Sequence, residues 1–199
     1  MKPAPRPGPP REVRLIGGDW KRSKLPVADK PGLRPTPDRV RETLFNWLGQ
    51  RLDGWRVLDA FAGSGALGLE AASRGAAEVV LLERDAALAH GLAGTAARLK
   101  ATTVRVENAD ALAWMRRAAT GRFDLVLLDP PFGAGLHELA VSAASPLLTD
   151  AGWLYVESDQ PWPAEHQAWQ VWRQSRAGAV HFALLRRSSY TAADSADEE

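Results

Sequence analysis

A glycine-rich loop follows the first of several short apolar strands that the sequence predicts, and it contains the pattern G-x-G-x-x-G from Gly63 to Gly68. Glycines let a backbone approach a ligand closely, and the start of the helix predicted after the loop offers N–H groups that have no partner within the helix. Glu83 ends the next predicted strand, where a carboxylate can accept hydrogen bonds from ribose hydroxyls. This combination predicts a binding site for a nucleoside cofactor.

Asp59 indicates which cofactor the loop binds. Loops that bind dinucleotides place their first glycine directly at the strand end, whereas here the strand ends with Asp59 and three residues precede Gly63. A carboxylate at that point would repel a pyrophosphate, but it can hold a cation such as the ammonium group of S-adenosylmethionine. Asp110, after the third predicted strand, either binds the adenine amino group or stabilises a helix N-terminus. The loop therefore favours a methyl donor over NAD.

A second motif, Asp-Pro-Pro-Phe, ends the fourth predicted strand at Asp129–Phe132. Ligands bind at the carboxyl ends of the strands in such sheets, so this segment should share a crevice with Gly63. Asp129 and the carbonyl of Pro130 can each accept an N–H from the exocyclic amine of a planar base, and Phe132 can stack on that base. The alternative is a proline turn that only ends a buried strand. Together with the glycine loop, the segment predicts methyl transfer to an amino group.

The elements that must position these residues alternate between short apolar strands and helices from Gly54 onwards. This order predicts an α/β fold with a doubly wound, mostly parallel, seven-stranded Rossmann-like sheet. The predicted strands span residues 55–60, 78–83, 102–106, 123–129, 152–157, 168–173 and 179–186. The predicted helices span residues 65–74, 85–100, 109–118 and 136–148. No helix is predicted between the last two strands, so we expect them to pair antiparallel at one end of the sheet.

A basic extension precedes this domain. Residues 1–58 hold 13 Lys and Arg against 6 Asp and Glu, whereas residues 59–187 hold 12 against 14. The extension is predicted to contain short strands and an amphipathic helix that starts at Pro37, with Thr36 as its N-cap. A basic region on a nearly neutral body predicts a polyanionic partner such as a nucleic acid.

The composition bounds the remaining possibilities. The 199 residues include no Cys, which excludes a disulfide scaffold, a thiolate zinc site and an iron–sulfur cluster. The four His are scattered, so no metal site is expected. No apolar run approaches the roughly 18 residues that span a bilayer, and no secretory signal precedes the domain, so we expect a cytoplasmic protein. The expected parts are a disordered Pro-rich leader (1–11), the basic RNA-binding extension (12–53), the catalytic domain (54–187) and a disordered acidic tail (188–199).

The two chemical motifs also resemble those of a known family. Asp59–Glu70 and Asp129–Phe132 are similar to the donor-binding and amine-methylating motifs of class I S-adenosylmethionine-dependent methyltransferases. With Arg14–Trp20 and Leu33–Asn46 added, residues 12–187 resemble the bacterial RsmD family. The resemblance implies methyl transfer from S-adenosylmethionine to the exocyclic N2 amine of guanine 966 in 16S (small-subunit) ribosomal RNA. It also implies a monomer that acts on RNA within an assembled or partly assembled 30S subunit, without a membrane.

The resemblance assigns roles to individual residues. The catalytic residues would be Asp129, Pro130, Pro131 and Phe132. The donor would be bound by Asp59, Phe61, Ala62, Gly63, Ser64, Gly65, Glu83, Arg84, Asp110 and Ala111. RNA would be bound by Arg14, Lys21, Arg22, Lys24, Arg34, Thr36, Arg39 and Arg41. The segment Lys21–Lys24 departs from the family pattern, which has a glycine between basic residues there, so this turn is expected to differ.

Three other functions fit parts of the pattern. A DNA amino-methyltransferase, or one that acts on another RNA, would use the same Asp-Pro-Pro-Phe segment, although the chain has no room for a separate domain that reads a DNA sequence. A NAD-dependent oxidoreductase would use the glycine loop and leave that segment without a role. An RNA-binding module with an inactive cofactor fold would have no need of the acids and glycines.

Overall fold

A seven-stranded sheet flanked by helices forms the centre of the molecule, and the N-terminal part of the chain forms a separate two-stranded sheet. The computed structural model describes residues 11–30, 36–131, 135–163 and 168–188. The strands are β1 Arg11–Arg14, β2 Lys24–Val27, β3 Arg56–Asp59, β4 Glu78–Glu83, β5 Val104–Asn108, β6 Phe123–Leu128, β7 Leu148–Ser158, β8 Trp169–Ala177 and β9 Val180–Arg187. The helices are α1 Asp38–Trp47, α2 Ala66–Ser73, α3 Ala86–Arg98, α4 Ala111–Met115 and α5 His137–Ala144, and a short 3-10 helix spans Ser145–Leu147.

The strands of the central sheet lie in the order β5-β4-β3-β6-β7-β9-β8. Neighbouring strands from β5 to β7 pair in parallel, whereas β9 runs antiparallel to both β7 and β8. The middle residues of β4 and β6 are apolar without alternation and buried, as expected for strands that are covered on both faces. The predicted doubly wound, mostly parallel sheet is confirmed, and so is the antiparallel pairing of the last two strands.

Two hydrophobic layers cover the two faces of this sheet. Val57 of β3 contributes to the layer that contains residues of α1, α2 and α3, and its neighbour Leu58 contributes to the layer that contains residues of α4 and α5. Leu15 and Leu25, from the basic extension, are buried in the first layer. The extension is therefore packed on the same face of the sheet as α2.

The predicted helix over residues 136–148 is shorter in the structure. α5 ends at Ala144, and the 3-10 helix leads directly into β7 at Leu148. Pro146 explains the early end, because it has no N–H group to continue the helical hydrogen bonds. Leu148 pairs with Phe123 of β6, so β7 begins four residues before the predicted start at residue 152.

The start of α1 also differs from the prediction. The N-cap position of α1 is Pro37, and no side chain caps the helix there. The expectation that Thr36 is the N-cap is wrong, because its hydroxyl donates to the carboxylate of Glu157, a charged and therefore strong acceptor. Thr36 thereby joins the basic extension to β7. No helix within the described ranges is both long and apolar enough to cross a membrane.

Candidate active site

Four carboxylates lie at the carboxyl ends of four neighbouring strands. Glu83 ends β4, Asp59 ends β3 and Asp129 directly follows β6. Glu157 lies near the end of β7, directly after Val156, the residue that pairs with Leu128 of β6. Asp59 and Glu157 are only 1% and 2% exposed. This edge of the sheet is where ligands bind in folds of this kind.

The glycine loop is fixed by hydrogen bonds to two of these acids. Asp59 Oδ2 accepts the Gly68 N–H at 2.9 Å, and Glu83 Oε2 accepts the Gly63 N–H at 3.0 Å. Gly65 has a φ of 77°, a left-handed conformation that glycine adopts without strain. A side chain at Gly68 would place its Cβ 2.2 Å from Leu81 Cδ2 and 3.0 Å from Asp59 Oδ2, so any larger residue would force these side chains to shift.

Burial raises the pKa of Asp59 to about 7, and the charges of Glu83 and Glu157 act in the same direction. The N–H groups of Gly68 and Phe61 oppose this shift by stabilising the ionised form. None of the ion pairs among the described residues includes Asp59 or Glu157. A buried carboxylate without a cationic partner is costly. The site therefore suits a ligand that brings a positive charge, as the sulfonium and ammonium groups of S-adenosylmethionine do.

The other residues predicted to bind the donor lie around the same edge. Asp110 Oδ1 accepts the Ala113 N–H at 2.9 Å and so caps the N-terminus of α4, which is the second of the two roles considered for it. Arg84 is exposed beyond the end of β4, and its carbonyl accepts a hydrogen bond from Asn108. The remaining predicted contacts lie in the glycine loop or at the start of α4; they are Phe61, Ala62, Ser64, Gly65 and Ala111.

The Asp-Pro-Pro-Phe segment begins at the same edge, between the ends of β3 and β7 in the strand order. Pro130 is buried and Pro131 is exposed, whereas Phe132 lies outside the described residues. Asp129 is half-buried. Burial raises the pKa of Asp129 well above its usual value, and so do the charges of Glu157 and Asp59, while a hydrogen bond from Thr36 opposes the shift.

The sequence analysis missed Glu157 and its contacts with Thr36 and Tyr155. Glu157 Oε1 accepts hydrogen bonds from the hydroxyls of Thr36 and Tyr155, both at 2.9 Å. Burial raises the pKa of Glu157 to about 7, and these two hydroxyls oppose the rise. The available signal was an acid after the apolar residues of β7, at the same edge of the sheet as Asp129.

The basic residues predicted to contact RNA divide into an exposed group and a buried pair. Arg14, Lys21, Arg22, Lys24 and Arg39 are exposed, and Arg34 lies outside the described residues. Thr36 and Arg41 are only 5% and 0% exposed, so the expectation that they face RNA is wrong. Their side chains point inwards because each binds a buried carboxylate, Glu157 and Glu70 respectively.

Glu70 of α2 connects the basic extension to the helix that follows the glycine loop. Its carboxylate accepts the backbone N–H groups of Ile16 and Gly17 at 2.9 and 2.7 Å. It also accepts hydrogen bonds from Arg41 of α1 and from Arg74, at 3.1 and 3.0 Å. The extension and the donor-binding helix therefore share one buried polar network.

The chain is similar to known proteins over most of its length. Residues 13–186 match the family described as conserved hypothetical protein 95. The chain is 44% identical over 191 residues to ribosomal RNA small subunit methyltransferase D of Escherichia coli strain K12, covering 92% of this chain and 94% of that protein. The protein of the same name in Haemophilus influenzae is 40% identical over 196 residues, covering 94% of this chain and 100% of that protein.

A solved structure agrees with these matches. The putative methyltransferase yhhF from Escherichia coli superposes with a TM-score of 0.78 at 44% identity, covering 90% of this chain and 100% of that one. The alternative of a NAD-dependent oxidoreductase is thereby set aside. The methyl donor is S-adenosylmethionine, as the glycine loop and Asp59 predict. The chain belongs to the RsmD family of methyltransferases.

Proposed function

We propose that this protein transfers a methyl group from S-adenosylmethionine to the exocyclic N2 amine of one guanine, position 966 of 16S ribosomal RNA in the small subunit. The observation that carries the proposal is the position of Asp129 and Pro130 beside the glycine loop, at the ends of the paired strands β6 and β3. The names of the two bacterial relatives supply the class of RNA.

The exocyclic amine of guanine is a weak nucleophile because its lone pair is delocalised into the ring. Asp129 and the carbonyl of Pro130 would each accept a hydrogen bond from one N–H group of the amine. These hydrogen bonds localise the lone pair on the nitrogen for attack and stabilise the positive charge that develops there. When bound, S-adenosylmethionine supplies an electrophilic methyl group on a positively charged sulfur. Asp59 and the backbone of the glycine loop would orient that group towards Asp129.

The exposed basic residues of the extension would bind the phosphates around the target base. They are Arg14, Lys21, Arg22, Lys24 and Arg39. Arg34, which lies outside the described residues, is proposed for the same role. Arginine suits this role because its guanidinium can bind a phosphate through two parallel hydrogen bonds. The proposal includes residues 12–53 as the RNA-binding part, a monomeric enzyme in the cytoplasm, and RNA within an assembled or partly assembled 30S subunit as its substrate.

The test is transfer of a labelled methyl group from S-adenosylmethionine to small ribosomal subunits from cells that lack the enzyme. Naked 16S RNA and duplex DNA serve as competing acceptors in parallel reactions. The proposal predicts label in the RNA of the subunits and none in DNA. Label in DNA alone would favour the DNA amino-methyltransferase, and donor binding without label in any nucleic acid would overturn the proposal.

A variant connects that activity to the site. Asp129→Asn keeps the shape of the side chain but carries no charge, so it should reduce turnover by about 100-fold or more while donor affinity changes little. Asp150→Asn is the matched control, because Asp150 is an exposed acid at the opposite end of β7. Turnover of Asp129→Asn equal to the wild-type rate would remove Asp129 from the mechanism.

A further inference from the structure

Glu157 has no role in the donor or base contacts described so far, yet its environment is unusual. It is 2% exposed, and Oε1 accepts two hydroxyl hydrogen bonds, from Thr36 and from Tyr155. No Lys or Arg of the described residues forms an ion pair with it. Burial of a carboxylate without a cation is expensive in free energy, and such groups concentrate at functional sites.

The fold places Glu157 beside Asp129. Leu128 and Val156 pair across the parallel strands β6 and β7, and Asp129 and Glu157 are the next residues on each strand. The hydroxyl of Thr36 donates to Glu157 Oε1 at 2.9 Å, and Thr36 also opposes the rise in the pKa of Asp129. Thr36 has one hydroxyl proton, which it donates to Glu157, so its oxygen can accept a hydrogen bond from Asp129 only after Asp129 has taken up a proton.

We propose that Glu157 is a positioning residue for the methyl transfer: its charge, held in place by Thr36 and Tyr155, makes Asp129 the acceptor of the proton that the target amine releases. This proposal rests on the function proposed above. In the step, the amine nitrogen forms a bond to the methyl carbon, and the carbon–sulfur bond breaks with its electron pair remaining on sulfur. The proton then leaves the nitrogen for Asp129 Oδ.

The physical basis is repulsion between like charges. An ionised Glu157 next to Asp129 makes a second negative charge unfavourable, so Asp129 binds a proton more tightly and becomes a stronger base. A base works best when its proton affinity is matched to the pH at which the enzyme operates. The two hydroxyl donors favour the ionised form of Glu157 and so oppose the rise in its pKa that burial causes.

Three other titratable residues lie around this pair. Asp59, on the neighbouring strand β3, also raises the proton affinity of Asp129, but by less than Glu157 does. Glu83 is on β4, the far side of β3, and its carboxylate accepts the N–H groups of Gly63 and Asp85. His137 of α5 contacts the backbone carbonyl of Glu157 at 3.0 Å. Glu157 is therefore the group whose charge acts most directly on Asp129.

The experiment compares Glu157→Gln, Thr36→Val and Thr36→Ser in single-turnover methylation of small subunits, with donor and RNA at saturation. Glu157→Gln removes the charge but keeps an amide oxygen for the two hydroxyls, so we expect the rate at neutral pH to fall by about tenfold or more. The acid limb of its pH–rate profile should move to lower pH, because Asp129 loses its like-charged neighbour. In separate steady-state assays, the KM values for donor and RNA should stay within about twofold of the wild type.

The Thr36 variants distinguish this role from simple packing. Thr36→Val has the shape of threonine without the hydroxyl and should be slow, whereas Thr36→Ser keeps the hydroxyl and should recover most of the rate. Asp150→Asn, which neutralises an exposed acid on the same strand, should leave both rate and pH profile unchanged. Thermal unfolding of each variant shows whether it is folded under the assay conditions.

Two results would overturn the proposal. One is a Glu157→Gln enzyme with the wild-type rate and an unmoved acid limb; the other is a Thr36→Ser enzyme that is folded and as slow as Thr36→Val. Both results require an active wild-type enzyme, so they contradict the role of Glu157 alone. A wild-type enzyme that methylates no nucleic acid would instead contradict the proposed function and, with it, this role.

Discussion

Arg41 Nη1 lies 3.1 Å from Glu70 Oε2, and both side chains are fully buried. A buried pair contributes little when both partners are present, but removal of one partner leaves an uncompensated charge that costs about 3–5 kcal/mol. Arg74 also contacts Glu70, which limits the loss. We therefore expect Arg41→Met to lower the free energy of unfolding by about 2–3 kcal/mol. Urea denaturation measures this change.

Arg39 is the matched control for that variant, because it lies on the same helix and is exposed. Arg39→Ala should change stability by less than about 0.5 kcal/mol. An equal loss of stability in Arg39→Ala and Arg41→Met would contradict the assignment of one residue to the core and the other to the surface.

Arg39 should matter instead for RNA affinity. Loss of one phosphate contact weakens binding and reduces the slope of log K against log salt concentration by about 1. The measurement is binding of small-subunit RNA to Arg39→Ala at several salt concentrations, with Arg105→Ala as a control, since Arg105 is an exposed basic residue on β5 at the far end of the sheet. If the two variants have the same slope as the wild type, Arg39 does not contact phosphate.

Gly68 should be intolerant of a side chain. The Cβ of Gly68→Ala would overlap Leu81 and press on the Asp59 carboxylate, so we expect a loss of about 1–3 kcal/mol in stability together with weaker donor binding. Gly91→Ala is the control: it lies on the exposed side of α3 with nothing within 4 Å of the new Cβ, and alanine there should stabilise the helix by about 0.5–1 kcal/mol. Thermal unfolding measures the stability of both variants, and calorimetric titration with S-adenosylmethionine measures donor affinity. A Gly68→Ala protein with normal donor affinity would contradict the expected effect on the glycine loop.

Stability should depend on the ionisation of Asp59. Its pKa rises from 3.8 to about 7 on folding, so the folded state binds the proton more tightly than the unfolded state. The resulting stabilisation is complete below pH 3.8 and is lost as the pH rises through about 7. The Asp59→Asn variant lacks this dependence, so its stability relative to the wild type should increase across that interval. Urea denaturation at a series of pH values gives the difference, and a difference that does not change with pH would contradict the raised pKa.

The affinity for the donor should also depend on the ionisation of Asp59, but it should increase with pH where the stability decreases. A cationic ligand favours the ionised form of Asp59, so binding below pH 7 must release a proton. Affinity for S-adenosylmethionine should therefore increase as the pH approaches about 7 and then level off. Calorimetric titration in two buffers of different ionisation enthalpy measures the proton released, and zero release at pH 6 would refute this linkage.

The sequence predicted those parts of the site that depend on local pattern. The glycine loop, Asp59 and Glu83 could be recognised because a strand, a loop and a helix follow one another within a short segment. Glu157 was missed although it follows the apolar residues of β7, and its contact with Thr36 could not be predicted, because Thr36 lies 121 residues away and nothing in either segment indicates the other. Arg41 was misassigned for a similar reason: its charge suggested RNA, whereas the acid that holds it lies on α2.

The most direct test of the central claim is the identity of the methylated nucleoside. Small subunits from cells that lack the enzyme would be treated with wild-type protein or with Asp129→Asn, and their RNA digested and analysed by mass spectrometry. The account predicts one N2-methylguanosine per small-subunit RNA with the wild-type protein and almost none with the variant. A methyl group on a ring carbon, on a ribose or on a different base would contradict it.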